Sequence, residues 1–275
     1  MIFDSKKLVF LDIDGTLISE RHRMTEKTIQ ALRQANDNGH ILCICTGRTY
    51  CEMPEEMKRF DGIISASGAC VMWKKEVLLA EYFSEKEKEQ IAGLVKEADA
   101  IYAMEGFENL YMKKEVYECL TARVKGRGEE EQKILDLFRN ACFCNELKNM
   151  EKVHKCSYFY AGKDSGWFKE KLKKWDMDVA VFSQSETRGN SGEITKSAFS
   201  KGSAIRYLSS YLEIPIEDTI AIGDSENDIG MLQAAGVGIA MGNAFDYVKK
   251  VADDVTSSVD EDGVYNAFQK YGLIS

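Results

Sequence analysis

The chain has 275 residues, with 36 Lys and Arg against 45 Asp and Glu, a net charge of −9, 44% hydrophobic and 29% charged residues. This is the balance of an ordinary globular protein, long enough for one large domain or two smaller ones, and its acidity excludes the basic stripe that a nucleic-acid surface needs. No apolar stretch nears the roughly 20 residues of a membrane span, and Asp4, Lys6 and Lys7 before a very short apolar run do not make a signal peptide, so the expectation is a cytoplasmic chain with no membrane contact.

In chain order, Leu8-Val9-Phe10-Leu11 is a continuous apolar run, the pattern of a strand buried on both faces of a parallel sheet. Thr25 fits an N-cap, and Ile29, Leu32 and Ala35 follow at helical spacing up to the stop signal Asn38-Gly39. A second apolar run, Ile41 to Cys45, ends at Thr46-Gly47-Arg48, and a third, Gly62-Ile63-Ile64, ends in Ser67-Gly68. Strand, helix, strand, helix, strand at this spacing predicts a doubly wound, Rossmann-like α/β unit. From about Glu81 the texture changes. Glu85 to Lys96 and Glu129 to Arg139 are charged helices, and Tyr158 to Tyr160 and Val179 to Phe182 look like strands of another sheet. The α/β rhythm returns with helix Ala204 to Leu212, strand Thr219 to Ile222, helix Asp228 to Ala234 and strand Val237 to Ala240. The predicted organisation is a parallel-sheet core of residues 1–80 and 190–275, interrupted by an inserted α/β domain of residues 81–189. The eight cysteines show neither zinc nor disulfide spacing and read as reduced and structural; His22, His40 and His154 show no metal spacing.

Two acidic groups stand where ligands bind in such a sheet, at the carboxyl ends of strands. Asp12-Ile13-Asp14-Gly15-Thr16 follows the first strand; carboxylates at i and i+2 point to one side of an extended chain, and Gly15 lets the backbone turn after them. Two ionised carboxylates this close need a cation, or one must hold a proton. The alternative is turn capping, since Asp-Gly is common in turns. Gly223-Asp224-Ser225-Glu226-Asn227-Asp228 follows the strand ending at Ile222. Its hard oxygen ligands suit Mg2+, and helix capping by Ser225 or Asn227 is compatible with that role. Thr46-Gly47-Arg48 offers a hydroxyl and backbone N–H groups at a strand end, a natural phosphate nest. Lys201-Gly202 opens a returning core helix. An acidic protein repels an anionic ligand, so these cationic and N–H groups are the ones that could concentrate one.

Taken together, Asp12-Ile-Asp14-Gly-Thr16, Thr46-Gly-Arg48, Lys201-Gly202 and Gly223-Asp224-Ser-Glu-Asn227-Asp228 resemble the haloacid dehalogenase-like superfamily, and their order resembles its Cof-type phosphatases. The match spans essentially the whole chain, and Gly192-Glu193-Ile194 fits as well. The stretch between Asp14 and Thr46 is too short for a cap domain, whereas that between Ala69 and Glu193 has room for one, which resembles the subgroup whose cap follows the second motif. One departure is Ser67-Gly68-Ala69, where relatives carry Asn-Gly-Ala near the substrate.

The resemblance implies a magnesium-dependent phosphatase acting on a small phosphorylated metabolite, a sugar phosphate or a phosphorylated cofactor. It implies Asp12 as the nucleophile that becomes an aspartyl phosphate, and Asp14 as general acid and then base. It further implies Mg2+ held by Asp12, the Asp14 carbonyl and Asp224, with Asp228 as ligand or support. Thr46, Gly47, Arg48, Lys201 and Asn227 would bind the phosphoryl oxygens. The inserted domain would supply specificity contacts, with Arg188 and residues near Tyr158 and Tyr160 as candidates, although core packing suits the tyrosines as well. Met104-Glu105-Gly106 and Tyr111-Met112 read equally as domain core. A phosphomutase or phosphotransferase could share the aspartyl phosphate, and a non-catalytic phosphometabolite-binding regulator could keep the fold.

Overall fold

A computed structural model describes residues 6–19, 23–181 and 190–275; His22, Phe182 and Arg188 lie outside the described residues. The chain forms two compact units, one of Met1–Gly47, Glu55–Ala80 and Phe199–Ser275, the other of Arg48–Pro54 and Glu81–Ala198. In chain order the elements are β1 (Leu8–Leu11), α1 (Glu26–Asp37), β2 (Ile41–Cys45), β3 (Gly62–Ser65), β4 (Cys70–Trp73), β5 (Glu76–Ala80), α2 (Glu85–Glu97), β6 (Ile101–Gly106), β7 (Leu110–Met112), α3 (Lys114–Val124), α4 (Glu129–Leu137), β8 (Ala141–Phe143) and β9 (Val153–Phe159). They continue through α5 (Ser165–Leu172), β10 (Met177–Val181), β11 (Gly192–Lys196), α6 (Lys201–Tyr211), β12 (Thr219–Gly223), α7 (Ile229–Ala234), β13 (Val237–Ala240), α8 (Asp246–Lys249), β14 (Asp254–Val255) and α9 (Gly263–Lys270). Among the described residues no helix is long and apolar enough to cross a membrane.

The first unit is built on a sheet of order β14-β13-β12-β1-β2-β3-β4-β5. From β14 to β3 the strands are parallel; β4 and β5 close the edge as antiparallel strands. The uninterrupted apolar run of β1 is fully buried because helices cover both faces. Leu8 and Phe10 join Ala204, Ile205 and Leu208 of α6 and Met231 and Leu232 of α7 on one face. Side chains alternate along a strand, so Val9 and Leu11 face the other layer. The helix α1 starts where Thr25 accepts the Thr28 N–H at 3.1 Å, and it packs on α9. The strand order reverses at β1: the chain runs outward to β2 and β3, then returns to β12 on the other side. Such a switch opens a crevice at the carboxyl ends of the two strands.

The second unit has a sheet of order β10-β11-β9-β6-β7-β8, antiparallel except for the β7–β8 pair. One face packs Met104, Cys156, Tyr158 and Ile194 against Ile91 and Val95 of α2 and Phe168 of α5. The other face packs Ala103, Leu110 and Met112 against Val116, Leu120 and Cys51.

Three sequence expectations change. Between β2 and β3 only 3-10 turns form, at Tyr50–Glu52 and Met57–Arg59, instead of a helix. Pro54 lies between the turns, and the proline ring disfavours a helical residue before it. Residues 48–54 belong with the second unit because Cys51 enters its core. Residues 190–198 also leave the predicted core: β11 pairs with β9 and β10, so the change of unit falls at Ala198–Phe199.

Candidate active site

Asp12 follows β1 directly, and its N–H donates to the Ile222 carbonyl at 3.1 Å, tying the end of β1 to the end of β12. On the other side Leu11 pairs with Ile44, which places Thr46 at the end of the neighbouring strand. Thr46 is buried; its N–H donates to Ile64 and its carbonyl accepts from the Ser67 N–H at 3.1 Å. Backbone bonds and strand register thus set Asp12 beside the end of β12 and Thr46 beside Ser67, at the ends of neighbouring strands. Gly15 has φ +83°, and a Cβ there would stand 2.6 Å from the Asp224 carboxyl carbon. The absence of a side chain at 15 lets the first acidic loop and the second come together.

Lys201, the first residue of α6, is the centre of the charge arrangement. Its ammonium donates to Asp12 Oδ1 and to Asp228 Oδ1, both at 2.6 Å, and is wholly buried. The second oxygen of Asp228 accepts the N–H groups of Asp224 and Ser225 at 3.0 and 2.9 Å and the Ser225 hydroxyl at 3.0 Å. Asp228 is thus saturated by the turn it caps and by Lys201. Carboxylate oxygens of Asp12, Asp224 and Asp228 lie within 4.8 Å of one another. Asp224 accepts from Thr16 Oγ1 at 3.4 Å and from Asn243 Nδ2 at 3.3 Å.

One ammonium faces this set of carboxylates, with the exposed Asp14 close by. The excess negative charge shows in the acidities. Burial first, then Asp228, hold the Asp12 carboxyl well above the ordinary range, with Lys201 opposing them. Burial and then Asp228 push Asp224 up to about 7, again opposed by Lys201. Burial lowers the basicity of Lys201, but Asp12 and Asp228 outweigh it and the net shift is upward, so the ammonium stays charged. Hard oxygen donors in surplus over a single fixed cation are the donor set that a divalent ion such as Mg2+ fits.

The remaining predicted residues divide. Gly47 continues from Thr46 within the first unit. Arg48 belongs to the second unit, where its Nη1 donates to the Glu52 carbonyl at 3.1 Å. Asn227 is exposed, and its Oδ1 accepts the Ser225 hydroxyl at 2.7 Å. Ser67, standing where relatives have Asn, has φ 55° and ψ 28°, and its buried hydroxyl has no partner among the described residues. His40 and His154 are buried away from the carboxylates: His40 accepts the Lys7 N–H, and His154 pairs with the Glu81 carbonyl. One site residue was not anticipated. Asn243 donates to the Gly15 carbonyl at 2.9 Å and to Asp224, and its own oxygen accepts the Val259 N–H. The signal available was its place in the loop after β13, a fourth strand end beside the same crevice.

The chain matches the family model described as haloacid dehalogenase-like hydrolase over residues 9–268. It is 30% identical to the phosphatase YwpJ of Bacillus subtilis strain 168, over 94% of this chain and 97% of that protein. It is 26% identical to YitU of the same organism, a 5-amino-6-(5-phospho-D-ribitylamino)uracil phosphatase, over 96% of this chain and 97% of that one. Among solved structures, the phosphatase BT1666 from Bacteroides thetaiotaomicron superimposes with a TM-score of 0.81 at 25% identity, covering 100% of this chain and 98% of that one. The carboxylates around Lys201, the parallel sheet that presents them and these full-length likenesses agree: the chain belongs to the haloacid dehalogenase-like hydrolases of Cof type and is a phosphoric monoester hydrolase.

Proposed function

We propose that the enzyme hydrolyses small phosphorylated metabolites, a sugar phosphate or a phosphorylated cofactor, through a phosphoenzyme formed on Asp12, with Mg2+ as cofactor. What supports this most directly is the pairing of Asp12 with the buried Lys201 at 2.6 Å beside Asp224 and Asp228. The ammonium fixes one oxygen of Asp12 at the carboxyl end of β1, which pairs with β12.

Asp12 would attack phosphorus in line with the leaving oxygen. Asp14, exposed two residues on, would give that oxygen a proton and later take one from the water that splits the acyl phosphate. Asp12, the Asp14 carbonyl and Asp224 would hold the metal. Asp228, its oxygens already engaged by Lys201 and the 224–225 turn, would support from behind. Bound there, Mg2+ supplies positive charge to the phosphoryl oxygens. Lys201, the Thr46 hydroxyl, the Gly47 and Arg48 N–H groups and Asn227 would bind those oxygens as well. A phosphate dianion about 4 Å from an ionised carboxylate meets repulsion of several kcal/mol at an effective dielectric near 20, so this cationic set is a requirement. The second unit would act as the cap that recognises the leaving group and keeps water out.

The test is phosphate release across a panel of phosphorylated metabolites, with magnesium and with a chelator. Magnesium-dependent release in the absence of an added acceptor is expected, with Asp12→Asn folded and at least ~10³-fold slower. Near-normal turnover by Asp12→Asn would reject the nucleophile, and transfer occurring only to an added alcohol would mark a phosphotransferase.

A further inference from the structure

Resting on the phosphatase reading above, we propose that Glu52 is a positioning residue for the phosphate loop Thr46-Gly47-Arg48, clamping the turn that follows it so that the Gly47 and Arg48 N–H groups keep the conformation that binds a phosphoryl group. The clamp is built on one carboxylate oxygen. Glu52 Oε2 accepts the Thr49 N–H at 3.0 Å and the Thr49 hydroxyl at 2.6 Å. The Glu52 carbonyl accepts Arg48 Nη1 at 3.1 Å, and the Glu52 N–H returns a bond to the Thr49 carbonyl at 3.1 Å. Thr49 is wholly buried. The residue immediately after the loop is therefore held at its N–H, its hydroxyl and its carbonyl.

The clamp is anchored in turn. Tyr50 stacks on Phe107 with ring centres 4.8 Å apart, Cys51 Sγ donates to the Gly106 carbonyl, and Asn140 donates to the Cys51 carbonyl at 2.5 Å. Glu52 also faces an inner charge network on β6, β9 and β11. Lys155 lies 2.9 Å from Glu105 and 2.7 Å from Glu193, and Ser157 donates to Glu105. Burial alone would raise the Glu52 carboxyl, but Lys155, then Glu105 and Thr49, outweigh it and the net shift is downward. Burial and then Glu52 hold the Glu105 carboxyl well up, with Lys155 opposing. The two shifts run in opposite directions, so Glu52 is the more acidic of the pair.

A turn cap with no link to function would cost only stability when removed. A positioning residue changes phosphate binding too. The experiment compares full-length wild type with Glu52→Gln and Lys155→Met in three measurements: calorimetric binding of inorganic phosphate with magnesium, KM and kcat on an aryl phosphate, and thermal midpoint. Phosphate affinity weakened about tenfold, with KM raised in proportion and kcat changed by less than about threefold, is expected for Glu52→Gln. Lys155→Met should move the same way. Should either variant fail to fold, Thr49→Val, which removes one of the two bonds and keeps the shape, should show a smaller rise in the same direction. Unchanged phosphate affinity and KM in the folded variants, with only a lower midpoint, overturns the role of Glu52 and leaves the phosphatase reading intact. A wild type that neither binds phosphate nor releases it overturns both.

Discussion

An ammonium placed between two buried carboxylates stabilises only as a complete set. Lys201 and Asp228 are wholly buried and Asp12 nearly so, so removing the cation leaves two carboxylates without compensation in a low-dielectric pocket. Lys201→Met should lower unfolding stability by about 3–5 kcal/mol in chelator at neutral pH. Urea titration checks this, and the deficit should shrink in the double variant Lys201→Met, Asp228→Asn, in which one of the stranded charges is gone. At position 67 the backbone itself is the cost. Ser67 sits in the left-handed region at φ 55°, with a buried hydroxyl that finds no partner among the described residues. Asparagine is several-fold enriched there, an advantage of about 0.8 kcal/mol. Ser67→Asn should therefore raise stability by about that much, read as a higher urea midpoint with the same slope. A lower midpoint would show that the amide does not fit the site.

The elements that carry the site were legible because each announces itself locally. β1, β2, β12 and β13 are short continuous apolar runs flanked by Gly, Asp or Thr, and the structure forms them within a residue of the expected limits. The Asp12, Thr46, Lys201 and Asp224 motifs could be read for the same reason, since each stands at a strand or helix end. What could not be read depends on partners far along the chain. The β4–β5 hairpin turns at Lys74-Lys75, both with positive φ, where the usual turn signal is Asn-Gly or Asp-Gly. Gly192 to Lys196 looks like any buried strand, and only its pairing with β9 and β10 assigns it to the second unit. Asn243 reads as a turn residue until the fold carries it to Gly15 and Asp224. The placement of α6 is equally non-local. A Cβ on Gly202 would come 2.8 Å from the Gly230 carbonyl carbon, so the first turn of α6 and the start of α7 touch backbone to backbone. Gly202→Ala must push them apart and draw Lys201 from its carboxylates. A loss of about 1–3 kcal/mol and a fall in kcat larger than that of an exposed control such as Gly93→Ala are expected; equal effects would separate the helix contact from the site.

At the scale of the whole molecule, two units with separate cores need not unfold together, and pH should act on them differently. His154, in the second unit, is almost fully enclosed. Its Nδ1 bonds the Glu81 carbonyl at 2.7 Å, its ring lies against Tyr82, and its Nε2 is buried without a partner among the described residues. Burial pushes it down from 6.5 to about 4, against the pull of the Glu81 carbonyl. The folded state thus refuses a proton that the unfolded chain accepts below about 6.5. Stability of this unit is then greatest above pH 6.5, falls as pH drops toward 4, and changes no further from this group below that. At 1.36 kcal/mol per pH unit the whole window is worth about 3 kcal/mol. His154→Phe keeps a ring against Tyr82 and Phe107 but binds no proton, so the variant should lose this part of the slope between pH 6.5 and 4 and keep whatever slope the carboxylates contribute. Hydrogen exchange followed separately for peptides of β9 and of β1 resolves the two units. Protection of β9 in wild type should drop with acid more steeply than in the variant, while β1 should respond alike in both; parallel slopes for β9 would mean that His154 takes its proton without opening the unit.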